Sequence, residues 1–209
     1  MATAEAKPTR TDRRRAATRA RLLGAARELF AEKGVGATRL GEITERADVA
    51  AGSLYNHFAD KDEIVSTLLA EISEEQGAVV DELTADVEDP AAVVAIAHRH
   101  FVRLAASDPS FGALAIRLDA SHRLMQQTLA PRALRDIQTG IDAGRFTVGD
   151  AVAALHFTGG ALLGTIAGIV DGRLGLDADE LHAEAVLRSL GVSGAQAAKV
   201  ARLPMAESG

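Results

Sequence analysis

Cysteine and tryptophan are absent from this chain of 209 residues, and aromatic residues make up only 3% of it. Without cysteine there is no disulfide, no thiolate nucleophile and no cysteine-based zinc site. The N-terminus lacks the apolar run of a secretory signal, which predicts a cytoplasmic protein. No segment alternates apolar and polar residues with period two and no hairpin signal appears, so strands are not expected. Enzyme signatures are missing as well. There is no GxSxG, no HExxH and no acid pair in a cleft context. Gly159–Thr165 (GGALLGT) has only a superficial likeness to a phosphate loop, because the lysine is missing and no strand precedes it. His98 and His100 are two apart, so on a helix they diverge and do not make a metal pair. Neither a catalytic site, a cofactor nor a metal is expected.

Charge is missing from residues 151–170, AVAALHFTGGALLGTIAGIV. Twenty residues suffice to cross a bilayer. Much of the stretch is Ala and Gly, His156 interrupts it, and it lacks an aromatic belt and a basic flank. The expectation is therefore a buried helix and no membrane partner.

What is present favours helix. Hydrophobic residues are 47% of the chain and charged ones 25%, a globular balance in which Ala and Leu dominate. The net charge of −6 is unevenly spread: residues 1–61 hold 12 Lys+Arg against 8 Asp+Glu, and residues 62–209 hold 11 against 21. A basic head on an acidic body concentrates positive potential where a polyanion would dock. Residues 1–11 read as disordered, followed by a helix over about 12–33 that Gly34 stops. Thr38 is the expected N-cap of a second helix, and a break at Asp48–Ala50 leads to a third over about 51–57. Asp60 with Glu63 forms a capping pair for a fourth helix running to about 87. Asp89–Pro90 and Asp108–Pro109 repeat a cap-then-proline start. Further helices are expected over about 121–143 with a break at Pro131, then 150–171, 178–190 and 194–202. Two domains follow, 12–61 and 62–203, sharing the fourth helix.

The densest signal lies in residues 34–61, GVGATRLGEITERADVAAGSLYNHFADK. Two short helices joined by a three- or four-residue turn make a helix-turn-helix, whose second helix enters the DNA major groove. Gly52 lets backbone approach closely. Ser53 suits a base edge or phosphate, Tyr55 a phosphate, and His57 either. Leu54 and Phe58, four apart, anchor the helix inward. Thr38 and Lys61 sit at helix N-termini, which attract phosphate. Arg10, Arg13, Arg14, Arg15 and Arg19 form a basic arm, read equally well as a solubilising tail or as a DNA contact.

On Leu29, Phe30, Gly34, Thr38, Ile43, Ala47, Val49, Gly52, Leu54, Tyr55, His57, Phe58 and Lys61, the chain resembles the DNA-binding domain of the TetR family of bacterial transcriptional repressors. The resemblance implies an all-α protein. A three-helix helix-turn-helix domain is followed by a helical ligand-binding and dimerisation domain. It implies base-reading positions at Arg39, Gly41, Ala51, Gly52, Ser53 and Asn56. Two residues depart from the pattern: Asp48 stands where the family usually has Gly, and Ala50 where it has a Ser or Thr cap. Asp tolerates the left-handed conformation, so the turn survives. Ala51 and Gly52 offer no hydrogen-bonding side chain, which leaves Arg39, Ser53, Asn56 and DNA shape to carry the reading.

Past residue 75 the resemblance is architectural. Gly160, Gly164 and Gly168 recur on one helical face and permit close helix approach. With Leu181 and Ala185 of the next helix they could build a two-fold four-helix interface, the alternative being packing within the chain. Phe101, Leu104, Phe111, Leu114, Leu118, Met125 and Phe157 are candidates for an apolar effector cavity, with His98, His122 or His156 as polar handles. The expected function is a homodimeric regulator that binds a palindromic double-stranded operator and is released by a small apolar effector. A helical ligand-binding or adaptor protein without DNA function is the alternative.

Overall fold

The computed structural model describes residues 9–116, 128–175 and 177–205. Every regular element among them is helical. In chain order they are α1 (Arg10–Ala37), α2 (Leu40–Arg46), α3 (Ala51–Leu54), α4 (Lys61–Thr84), α5 (Pro90–Ser107), α6 (Pro109–Ala115), α7 (Ala130–Asp142), α8 (Ala151–Val170), α9 (Ala178–Ser189) and α10 (Gly194–Ala201). The chain forms two compact units, Met1–Leu68 and Leu69–Gly209, so the division falls within α4.

In the first unit α1 begins earlier than its sequence suggests. Thr9 caps it, accepting from the Asp12 backbone N–H (3.2 Å), while the Asp12 carboxylate accepts from the Thr9 N–H (3.0 Å). That reciprocal box satisfies two orphan donors and orders a segment that composition alone marks as disordered. Gly34 breaks the helix at φ 80°, a conformation that costs glycine nothing. The helix resumes for one turn before Thr38. Leu22, Leu29, Phe30, Ile43, Leu54, Phe58 and Ile64 fill the core of this unit. Asp48 adopts φ 50°, the left-handed position expected of it, and Arg21 holds the turn by donating to the Ala47 and Asp48 carbonyls. At the start of α4, Asp60 accepts from Glu63 N–H (2.8 Å), and Glu63 reaches back to the Ala59 N–H (2.6 Å), one residue before the expected partner. α4 ends at Thr84 rather than 87.

In the second unit Asp89, Asp108 and Asp150 each accept a backbone N–H at a helix start, a contribution of about 1 kcal/mol per cap. Pro131 sits in the first turn of α7, where a proline N–H is not needed. The part of that expected helix before residue 128 lies outside the described residues. α5 and α9 form the centre, with α8 and α10 packed against them. Ala91, Ala95, Ile137, Ala183, Val186, Leu187 and Leu190 make a continuous core.

The uncharged helix α8 is not buried as expected. Ala151, Ala154, Thr158, Leu162, Ile166 and Gly168 face the core, whereas Val152 is 51% and Phe157 64% exposed. Its length and hydropathy satisfy those of a membrane span, yet one face is packed into the protein.

Candidate DNA interface and effector cavity

The expected DNA-facing residues fall into two groups. Arg39, Ala51, Gly52, Tyr55 and Asn56 are exposed on one end of the first unit, and Ser53 and His57 are half-buried beside them. Leu54 and Phe58 are buried at 1% exposure and tether this segment from beneath. Four residues of regular helix, Ala51–Leu54, make up α3, after which Tyr55–His57 continue as turns. Ala50 supplies no capping side chain, so the shortened helix rests on tertiary support. Arg15 supplies some of it by donating to the Asn56 carbonyl (3.3 Å).

Thr38 and Lys61 do other work. Thr38 is 1% exposed and its hydroxyl donates to the Gly34 carbonyl (2.9 Å), so it neither caps α2 nor offers a side chain to DNA. The N-cap is Arg39, whose N–H donates to Glu42 Oε2 (2.8 Å). Lys61 donates from Nζ to the Val35 and Thr38 carbonyls (2.9 and 3.0 Å). Its ammonium thereby satisfies the chain leading into α2, and it acts first as a positioning residue. The arginine arm is not a tail: all five residues lie on α1. Arg19 stacks over the Phe58 ring (5.0 Å), and the exposed Arg15 bonds the Asn56 carbonyl, so two of the five are tied to the rest of the unit. Arg10, Arg13 and Arg14 are exposed.

The second unit contains a cavity of about 440 Å³. His98 and Phe101 line it, as expected, together with Leu155, Leu162 and Leu163. Phe111 and Leu114 are buried at 3% and 0% exposure and are not among its lining residues. Phe157 faces outward on α8, because its helical position is opposite Thr158 and Leu162. Leu118, His122 and Met125 lie outside the described residues. Sequence reading missed the polar wall of Asp81, Arg132 and Asp136. These are ordinary helical charges in sequence, and only the approach of α4 to α7 brings Asp81 and Arg132 together across 51 positions. Arg132 donates to Asp81 Oδ2 (2.8 Å) and to both oxygens of Glu74 (3.1 and 2.8 Å). Burial pushes the Asp81 carboxyl up, but hydrogen bonds from Arg132 and Arg135 outweigh it and hold the pKa below the usual carboxylate range.

His98 is not a lone handle. Its Nδ1 bonds His182 Nε2 (2.9 Å), and His182 Nδ1 bonds Thr165 Oγ1 (2.9 Å). Burial, then the neighbouring His182, pushes His98 down to about 3, and burial pushes His182 down to about 4. Both rings are neutral at physiological pH. Below their ordinary value of 6.5 the unfolded chain takes up protons that the folded rings refuse. Stability is therefore complete above pH 6.5 and falls from there towards about 4, by up to ~1.4 kcal/mol per pH unit per ring. The urea midpoint should drop between pH 7.5 and 5.0, and His182→Gln should reduce that drop; an identical drop in the variant refutes the attribution. Among the described residues no cluster of three or more metal-ligating side chains occurs.

The open face of α8 can be divided. A Cβ placed at Gly160 or Gly164 meets nothing within 4 Å, whereas at Gly168 it would lie 2.7 Å from Leu174 Cδ1. Gly168 is thus used inside the chain and is not part of the open face. Gly160, Gly164, Leu181 and Ala185 are exposed.

Comparison with known proteins agrees with this arrangement. Residues 22–68 match the sequence profile of bacterial regulatory proteins of the tetR family. Residues 89–203, more than half of the chain, match that of the tetracyclin repressor-like C-terminal domain. The crystal structure of RolR in complex with the ligand resorcinol is similar, with 37% identity and a TM-score of 0.81 over 93% of this chain and 98% of that one. The transcriptional repressor KstR2 of Mycobacterium tuberculosis is 47% identical over 51 residues, 24% of this chain and 26% of KstR2. The regulator YvkB of Bacillus subtilis is 33% identical over 70 residues, 34% of this chain and 37% of YvkB. These two curated relatives are matched over only 26% and 37% of their length. Such proteins are transcriptional regulators and not enzymes, and with both of its units matched this chain belongs to the TetR family of bacterial DNA-binding regulators.

Proposed function

We propose that the protein is a cytoplasmic repressor that binds a palindromic operator as a homodimer and leaves it when a small molecule occupies the 440 Å³ cavity. The observation that carries the DNA half is the exposed set of Arg39, Ser53, Tyr55 and Asn56 over the buried anchors Leu54 and Phe58. Two such segments in a dimer would read major grooves about 34–36 Å apart. Tyr55 and His57 serve phosphate, while Arg39, Ser53 and Asn56 serve base edges, with Ala51 and Gly52 allowing close backbone approach. Lys61 supports them by holding the residues that precede α2. The dimer face is Gly160, Gly164, Leu181 and Ala185, with Phe157 added to it.

RolR has been crystallised with resorcinol, which favours a small effector here over a long acyl chain. An effector acts by binding one conformation better than another, so its differential affinity sets the release. Binding-site selection on random duplexes tests the reading. The wild type is expected to enrich a two-fold symmetric motif, and Arg39→Ala or Asn56→Ala to relax particular positions by about 1–3 kcal/mol. No enrichment for any sequence would favour the helical adaptor instead, and an unchanged motif in both variants would remove these residues from base reading.

A further inference from the structure

If the cavity is the effector site, as proposed above, its polar wall says what class of molecule it takes. Two carboxylates, Asp81 and Asp136, and one guanidinium, Arg132, line it together with His98 and His156. That guanidinium is already committed. Its Nε donates to Asp81, its two terminal nitrogens to Glu74, and Nη1 also reaches the Thr128 carbonyl (3.3 Å). Four of its five N–H donors are thereby accounted for. An anionic ligand could claim Arg132 only by displacing Glu74 or Asp81, which would leave a carboxylate stripped of its partner. The carboxylates are in the opposite condition. A carboxylate offers about four acceptor positions. Asp136 accepts from Arg135 Nε on Oδ1 (2.9 Å), and Asp81 accepts one bond on each oxygen (2.8 and 3.1 Å). Acceptor capacity is left over on both carboxylates, whereas Arg132 keeps a single N–H, too little for the paired contact that a carboxylate ligand would make.

We infer that the cavity selects a small neutral molecule carrying hydroxyl groups, whose O–H donors bind the Asp136 and Asp81 carboxylates while its apolar body lies against Phe101, Leu155 and Leu162. Carboxylate ligands of the same size are rejected, because they face two like charges and a guanidinium already occupied. His98, also in the lining, has Nδ1 engaged and keeps Nε2. The ring is neutral, so it adds a hydrogen bond and no charge to balance an anion. Either tautomer of His98 is satisfied by the matching tautomer of His182 and a rotation of the Thr165 hydroxyl. A second hydroxyl can therefore be met there as donor or acceptor. A volume of about 440 Å³ lies at the small end of ligand sites, and suits a single ring.

Calorimetry on the full chain at pH 7.5 with three single-ring probes decides the matter: resorcinol (two hydroxyls, neutral), benzoate (an anion) and toluene (neither). Resorcinol is expected to bind at least tenfold tighter than either of the others. Asp136→Asn, which keeps the shape and removes the charge, should weaken resorcinol about tenfold and leave toluene unchanged. Asp81→Asn serves as the second variant, with a melting curve to show that each is folded. Benzoate binding as tightly as resorcinol, or resorcinol indifferent to both substitutions, overturns the inference. Toluene matching resorcinol overturns it too but leaves the cavity as the effector site. Heat from none of the probes, with operator binding intact, overturns the hydroxyl-ring assignment and leaves the effector reading of this cavity standing.

Discussion

Gly164→Leu is expected to leave a folded monomer that no longer holds its operator. Gly164 is exposed, and a Cβ there meets no atom of its own chain within 4 Å, so the new side chain fits the isolated subunit. In a two-fold interface built from α8 and α9 the same side chain would be driven into a partner helix, and it would be met twice. Overpacking costs about 1–3 kcal/mol per site. Doubled, that is about 30-fold to ten-thousand-fold in dimer affinity. Operator binding should fall with it, because two linked recognition segments gain from effective concentration and one alone does not. Sedimentation at micromolar concentration and a gel shift check the two halves. A dimeric variant with wild-type DNA affinity would move the interface elsewhere. Gly168→Leu is a poor substitute for this test: it would collide with Leu174 of its own chain and unsettle the fold first.

Asp179→Ala should produce the largest loss of stability in the second unit. Asp179 and Arg99 have side chains 5% and 4% exposed, and Arg99 Nε donates to Asp179 Oδ2 (3.1 Å). Arg103 Nε donates to the same oxygen (2.7 Å). Arg99 also reaches the Leu203 carbonyl (2.6 Å), so one guanidinium ties α5 to α9 and to the residues after α10. Removing the carboxylate leaves the buried Arg99 with only a longer ion contact to Glu180 (3.6 Å), and breaking a buried pair typically costs about 3–5 kcal/mol. A lowered urea midpoint checks it. Replacing Arg99 by methionine and Asp179 by leucine together should be milder, since the buried cation is then gone and Arg103, which also loses the carboxylate, is half exposed. If the single and double variants unfold at the same urea concentration, the loss is one of packing and not of charge.

Several parts of this protein could be read before folding. The helix starts at Asp89, Asp108 and Asp150 hold because a capping aspartate acts on N–H groups two or three residues away. Gly34 and Asp48 were legible because the left-handed region is restricted by residue type alone. The helix-turn-helix was legible because Leu54 and Phe58 sit at helical spacing, which leaves Tyr55 and Asn56 exposed. Local chemistry and a short-range period carry all of these, and so did the family.

Tertiary structure decided the rest. Lys61 has the same residue type whether it meets phosphate or backbone, and only the fold puts the Val35 and Thr38 carbonyls, more than twenty positions away, beside it. Gly160, Gly164 and Gly168 are equivalent by spacing, yet the chain turns after α8 and lays Leu174 on the last of them. Asp81, Arg132 and Asp136 look like solvated charges until α4 and α7 close a cavity around them. The common reason is packing. A sequence period fixes which face of a helix a residue occupies, but what covers that face is set by how the chain turns and packs, from six positions away at Gly168 to 51 at Asp81.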